Sequence, residues 1–345
     1  MEFRGLGRTG VRVSSLSLGA MSFGSMGNAD RDDCIRIIHR ALDAGINVID
    51  TADVYSAGES EEIVGAALKG RRDDVVLATK SYNPMGRDPN RRGSSRRWII
   101  QACEESLRRL GTDHIDLYQL HRPDEHTDID ETLGALSDLV RQGKVRMVGS
   151  STFPAEAIVE ARWAAENRGH VRLRCEQPPY SIFVRDIERA VLPTCERYGM
   201  GAIVWSPLNA GWLTGKYGRG APVPDGSRFA RVPRGAWTLN AAGADRKLDL
   251  LPRLDEVAHD HGTDLIGLSL GFTLAHRAVS STIIGPRTMS QLESQLPAGD
   301  LRLEGSALDR IDEIVAPGET IDRADIAYEP RSIRRSAARR ATAAS

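Results

Sequence analysis

Four side chains of this 345-residue chain, Asp50, Tyr55, Lys80 and His121, have types that together could move a proton onto a carbonyl oxygen. A phenol, with a pKa of about 10, is a poor acid at neutral pH unless a neighbouring cation stabilises its phenolate. Lys80 can supply that cation. Asp50 can keep the ammonium charged and aimed, because an unpaired buried ammonium tends to lose its proton. The His121 imidazole can orient or polarise a substrate oxygen, or share the proton. Such a group suits reduction of a carbonyl, in which hydride arrives from the other side. Taken singly, each residue has an ordinary explanation as packing or a cap. Lys80 is the hardest to dismiss, because only Lys69, Lys80, Lys144, Lys216 and Lys247 are lysines among 46 basic residues.

These residues are brought together by the elements that carry them. Eight short β-rich apolar runs alternate with helical periodicity: Ser15–Gly19, Asn47–Asp50, Val75–Thr79, Ile115–Gln119, Val145–Ser150, Leu173–Gln177, Gly201–Trp205 and Ser281–Ile284. Between them lie amphipathic segments such as 32–44 and 96–110, each with one apolar stripe. Runs such as VVLA and AIVW are continuously apolar, as strands covered on both faces of a parallel sheet must be. An α/β fold, a closed (β/α)8 TIM barrel, is therefore expected over residues 1–330 as one domain. Barrel enzymes place their chemistry at the carboxyl ends of the strands. Asp50 ends the second strand with Tyr55 just beyond it, Lys80 follows the third, and His121 follows the fourth. Neighbouring strands lie about 4.8 Å apart, so these groups can meet over one small volume.

Three regions fall outside the repeat. Residues 2–13 read as a β-hairpin capping the barrel bottom. Residues 208–245, rich in Gly, Pro and Arg, form a long loop after the seventh strand, and loops of that length are usually functional. The Arg/Ala-rich segment 331–345 reads as a disordered, solvated end. The hairpin also contains Gly5-Leu6-Gly7-Arg8-Thr9-Gly10, which satisfies G-x-G-x-x-G. That fingerprint needs a preceding strand and must open a helix; here VRVSSLSLG follows and alternates like a strand, so the glycines are assigned to turns.

Composition narrows the partners. With 46 basic and 47 acidic residues the net charge is −1, so no global field favours nucleic acid or an anionic membrane. Cys34, Cys103, Cys175 and Cys195 are widely spaced and read as buried thiols rather than a zinc site or a disulfide framework. No apolar run approaches a membrane span and the start lacks a signal-peptide core, so a cytoplasmic protein is expected. No set of metal ligands or paired catalytic carboxylates closes the strands, which disfavours a barrel hydrolase or isomerase.

The segments IDTADVY (49–55), ATK (78–80), HRPD (121–124), GKVRMVGSS (143–151) and WSPLNAGWLTGKY (205–217) closely resemble those of the aldo-keto reductases, in order and spacing over residues 1–330. The branch they resemble most includes potassium-channel β subunits and bacterial aldehyde reductases. The resemblance implies a (β/α)8 barrel that binds NADPH without a Rossmann fold, with Tyr55 as general acid, Asp50 and Lys80 tuning it, and His121 orienting the carbonyl. It further implies that Trp205 stacks on the nicotinamide and that Ser151, Thr152 and Gln177 hold its carboxamide. Gly19, Met21 and Asp50 would lie at the same site. Ser206, Pro207, Leu208, Gly211 and Lys216 would fold over the pyrophosphate. Gly285, Arg287, Gln291 and Gln295 would take the adenosine end, with Arg287 suited to a 2′-phosphate. Two positions depart from the family pattern: Thr152 stands where an asparagine is usual, and Gln295 replaces an asparagine near the adenine. Phe23, Val54, Met85 and Trp98 are candidates for the substrate wall or, equally, for the core. Arg87, Arg91, Arg92, Arg96 and Arg97 form a basic loop that could attract an anionic aldehyde. The resemblance also admits a second reading, a non-enzymatic NADP(H)-sensing regulatory protein.

Overall fold

In the computed structural model, residues 1–231 and 241–329 are described. The expectations for residues 232–240 of the long loop and for the segment after Glu329 lie outside them. The chain opens with an antiparallel hairpin of β1 (Phe3–Gly5) and β2 (Arg12–Ser14). It continues through β3 (Leu16–Gly19), α1 (Arg31–Asp43), β4 (Val48–Asp50), α2 (Glu59–Ala67), β5 (Val76–Ser81), α3 (Arg96–Leu110) and β6 (Ile115–Leu120). Next come α4 (Ile129–Arg141), β7 (Val145–Ser151), α5 (Ala155–Arg168), β8 (Cys175–Gln177), α6 (Val191–Tyr198) and β9 (Gly201–Val204). The short α7 (Arg228–Arg231) precedes α8 (Ala244–Asp260), α9 (Leu265–Ala275), β10 (Val279–Ile284), α10 (Met289–Gln295) and α11 (Gly305–Ile314). Strands β3 to β10 close into a parallel barrel, with β10 pairing both β9 and β3.

Local sequence accounts for where the helices begin. Asp30, Ser95, Asp128, Asp264 and Thr288 each accept a backbone N–H in the first turn of α1, α3, α4, α9 and α10. Asp32 and Asp33 add negative charge at the start of α1. Gly111, Gly169 and Gly199 close α3, α5 and α6 in the left-handed conformation that glycine adopts at least cost.

The hairpin plugs the amino-terminal end of the barrel. Leu6 is fully buried among Val48, Ala78, Leu117, Cys175, Ile203 and Ile283. Arg8 N donates to Gly199 O at 2.8 Å just ahead of β9. A Cβ on Gly7 would lie 2.4 Å from Gly199 O, and one on Gly201 would lie 2.4 Å from the Leu6 Cδ1. The Gly5–Gly10 glycines therefore serve a turn and a close approach, and β2 rather than a helix follows them.

Several strand limits differ from the sequence expectation. β5 runs on to Ser81, because Lys80 and Ser81 continue to pair with Gln119 and Leu120; Lys80 belongs to the strand instead of following it. β8 begins at Cys175 rather than Leu173, since its pairing to β7 starts there. No helix among the described residues is long and apolar enough to cross a membrane.

Candidate active site

Side chains alternate along a strand, so positions two apart share the barrel lumen. On β5 that face carries Val76, Ala78 and Lys80, on β4 Val48 and Asp50, and on β8 Cys175 and Gln177. The lumen-side residues nearer the plug are apolar: Val48, Ala78, Leu117, Cys175 and Ile203 form one cluster. The next positions along the same strands are Asp50, Lys80, Gln119, Gln177 and Trp205. One barrel interior is thus a hydrophobic core below and a polar layer above.

Within that layer Lys80 Nζ donates to Asp50 Oδ2 at 2.6 Å and to Thr51 O at 2.8 Å, and lies 3.5 Å from the Tyr55 hydroxyl. The Tyr55 and His121 rings meet edge to face with centroids 5.7 Å apart. Gln177 Nε2 donates to the other Asp50 oxygen at 2.8 Å, with Gln119 Nε2 at 3.4 Å. Asn83 Nδ2 donates to His121 Nδ1 at 3.2 Å, which leaves the imidazole proton on Nε2. Tyr55 starts a short 3-10 turn, Tyr55–Gly58, in which Ser56 (φ 49°) and Ala57 (φ 57°) are left-handed. Thr152, Ser206, Asn209 and Ala210 are left-handed as well, and strain of this kind concentrates at functional sites.

Burial and charge set the protonation states. Burial opposes the Lys80 charge, but Asp50 and Tyr55 outweigh it and hold its pKa above the ordinary lysine value. Burial pushes the Tyr55 phenol up; Lys80 works against this and Asp50 with it. Lys80 thus lowers the phenol pKa in the expected direction, but burial, the largest influence, and then Asp50 outweigh it. Tyr55 therefore carries its proton at neutral pH. His121 is held well below its usual value by burial, then by Lys80 and Arg122, and is neutral.

Most of the remaining expected positions follow β9 and β10 beyond this layer. Trp205 lies just past β9, its indole Nε1 donating to Gln177 O at 3.1 Å. The Ser151 hydroxyl donates to the same carbonyl at 2.8 Å. Ser206, the buried Pro207 and Leu208 lead into a 3-10 turn, Asn209–Thr214. A Cβ on its Gly211 (φ 97°) would stand 3.1 Å from Lys216 Nζ. Lys216 has a lowered pKa through burial and then the charges of Arg287 and Arg231; Arg231 is lowered by burial and Arg287, and Arg228 by burial and Arg231. These cations suit an anion. Past β10, Gly285 is exposed with open space around it, and Arg287 N donates to Gln291 Oε1 at 2.8 Å. Gln295, one turn on, is buried with its Oε1 unpartnered. Gly19 pairs with Asp50 in the register of β3 and β4, and Met21 is half-buried just beyond.

Other expected positions fall elsewhere. Phe23 has no accessible surface and packs in the core around β3 and α1, so it cannot wall a pocket. Trp98 is equally inaccessible, beneath the Arg91 guanidinium. Val54 and Met85 are half-buried beside Tyr55 and in the loop after β5, where they can face a ligand. In the basic loop, Arg91 pairs with Glu105 and Arg96 with Asp138 on neighbouring helices; these ion pairs compensate both charges. Sequence reading overlooked Asn83, Gln119, Arg122, Arg228 and Arg231. Period-two counting back from Lys80 and His121 could have found Gln119; the loop residues leave no comparable signal. It also overlooked Glu176, a buried β8 carboxyl pushed up to about 7 by burial, which accepts from Ser150 Oγ and Phe153 N.

Comparison with known proteins matches residues 15–316 to the profile described as the Aldo/keto reductase family. A Bacillus subtilis protein named as the uncharacterized oxidoreductase YrpG is 38% identical over 327 residues, covering 91% of this chain and 96% of its own. A probable voltage-gated potassium channel subunit beta of Arabidopsis thaliana is 35% identical over 322 residues, covering 91% and 97%. A putative aryl-alcohol dehydrogenase of Schizosaccharomyces pombe is 31% identical over 343 residues, covering 90% and 95%.

Proposed function

This chain belongs to the aldo/keto reductase family, and from that premise we propose that it is an NADPH-dependent reductase of aldehydes or ketones with Tyr55 as the proton donor. The observation that carries the reading is the Asp50–Lys80–Tyr55 chain of contacts, with the His121 ring against Tyr55, at the carboxyl end of the barrel. The residues beyond β9 and β10 suit the cofactor: the Trp205 ring for the nicotinamide, Lys216, Arg231 and Arg287 for phosphates, and the unpartnered Gln295 Oε1 for the adenine. NADPH, when bound, supplies the hydride.

The chain's own residues supply the rest. His121 offers its Nε2–H to the carbonyl oxygen and fixes its direction. The protonated Tyr55 hydroxyl gives its proton to the developing alkoxide, which is far more basic than a phenolate, so a raised phenol pKa does not prevent the transfer. Lys80, 3.5 Å from the hydroxyl, stabilises the phenolate left behind. Gln177 and Gln119 hold Asp50 and through it the ammonium. The phenolate then takes a proton from solvent. The test is Tyr55→Phe: turnover of a good aldehyde should fall by about 10²–10⁴-fold while NADPH still binds. Wild-type turnover in that variant would exclude Tyr55 as donor.

Similarity to the channel subunit supports a second reading, a cofactor-sensing regulatory protein. It is discriminated by steady-state assay, since a sensor binds NADPH tightly with no turnover across a broad aldehyde panel.

A further inference from the structure

The cation that faces the catalytic layer is not in the basic loop but directly after His121. Arg122 Nη1 donates to His121 O at 2.7 Å and to Thr152 Oγ1 at 3.1 Å, and its guanidinium lies 5.9 Å from the centre of the Trp205 ring. Burial lowers its pKa, and the groups that counter this are Tyr55, Glu176 and Tyr82. Among the described residues no carboxylate pairs with it. Glu176, the carboxylate whose charge reaches it, and Asp124, two residues on, both have other partners. Asp124 accepts from Ser94 N, His126 N and Thr127 Oγ1, and Glu176 accepts from Ser150 and Phe153. The Nε and Nη2 edge of Arg122 makes no hydrogen bond to the described protein, and that edge is the one that grips an oxyanion with two parallel bonds. A partly buried guanidinium with Glu176 in its field but no carboxylate in contact is costly, and an anionic ligand at its open edge lowers the cost.

Resting on the reductase reading above, we propose that Arg122 anchors an oxyanion on the substrate, so that this site prefers carbonyl compounds bearing a carboxylate or phosphate. His121 and Arg122 are consecutive, so carbonyl orientation and anion capture are fixed by one turn of backbone after β6. Charge-assisted hydrogen bonds of this kind correspond to a preference of about tenfold or more.

The experiment compares kcat/KM for 4-carboxybenzaldehyde with its methyl ester, and for glyceraldehyde 3-phosphate with glyceraldehyde, in wild type, Arg122→Lys and Arg122→Gln. The ratio of anionic to neutral substrate cancels losses common to both. The expected result is a wild-type ratio of about tenfold or more for one pair, abolished by Gln and partly kept by Lys; which pair responds tells carboxylate from phosphate. Equal rates for both pairs in wild type would overturn the proposal, as would a Gln variant that loses both substrates equally together with NADPH affinity. If wild type reduces nothing, the reductase reading fails instead. Calorimetric binding of benzoate, with benzamide as control, then still decides whether Arg122 holds an anion.

Discussion

Two lysine–aspartate pairs are buried in this barrel, and they do different things. Lys80 contacts Asp50 at 2.6 Å and Lys247 contacts Asp325 at 2.5 Å, and neither lysine has accessible surface. Each ammonium also lies over an aromatic ring, 5.0 Å from the centre of Tyr55 and 5.3 Å from that of Trp212. The difference is the third partner. Beside Lys80 stands a phenol with a proton to give, reached from the barrel mouth. Beside Lys247 stands an indole with none, and Asp325 accepts a further bond from Asn209 Nδ2 at 3.0 Å. The second pair thereby ties α8 and the segment near residue 325 to the turn after β9. A buried ion pair marks neither catalysis nor structure by itself, since its desolvation is costly in either role; the group it is aimed at decides.

Four variants would break or sharpen this contrast. The largest effect is expected for Lys80→Met, which should lower turnover by about 10³-fold and destabilise the fold by leaving Asp50 charged and unpaired. Adding Asp50→Asn should restore thermal stability but not turnover. Lys247→Met should cost about 3–5 kcal/mol of stability, measured by chemical denaturation, and adding Asp325→Asn should recover most of it, with turnover per folded molecule changing far less than at Lys80. If the two lysines behave alike in both assays, the contrast fails.

A second, smaller effect concerns pH. Burial and adjacent cations keep His121 neutral in the folded protein, whereas an unfolded histidine takes up a proton near pH 6.5. Below that pH the unfolded state binds more protons, so stability present above about 6.5 is lost as pH falls towards the depressed folded value. His121→Asn should flatten this part of the stability profile. In wild type, kcat/KM should show no inflection near 6.5 that His121→Asn removes; such an inflection, distinct from any titration of Glu176 near 7, would mean that the site is wetter than its geometry implies.

The smallest effect is expected at Asn83. Its amide fixes the His121 tautomer through one hydrogen bond at 3.2 Å, so Asn83→Ala should lower kcat several-fold, on the order of one neutral hydrogen bond. Thermal stability should hardly move. A loss as large as at Tyr55 would assign Asn83 a direct part in the chemistry.

Much of this was legible in the residues. Strand–helix alternation announced the closed barrel, because a strand covered on both faces leaves a continuous apolar run and its helix an apolar stripe. Asp50, Tyr55, Lys80 and His121 were legible because each stands at or just past a strand end, where parallel topology makes neighbours. Lys247 was not: it sits in a helical pattern where a lysine ordinarily faces water, and only packing against Trp212 and Asp325 removes it from solvent. Phe23 and Trp98 stayed undecided for the converse reason, since a large apolar side chain in a loop or early in a helix reads the same whether it walls a pocket or fills a core; the structure puts both in the core.

By itself, then, the amino-acid sequence determined which elements form, their order and the polar residues at or just past the ends of β4, β5, β6 and β8, since these depend on periodicity and local caps. The tertiary structure alone decided which charges are compensated. Burial outweighs Lys80 and leaves the phenol protonated, Glu105 and Asp138 pair with Arg91 and Arg96, and Arg122 is left beside the site without an ion-pair partner among the described residues. Electrostatic energy depends on distance and burial between groups remote in the chain, and neither quantity exists until the barrel has closed.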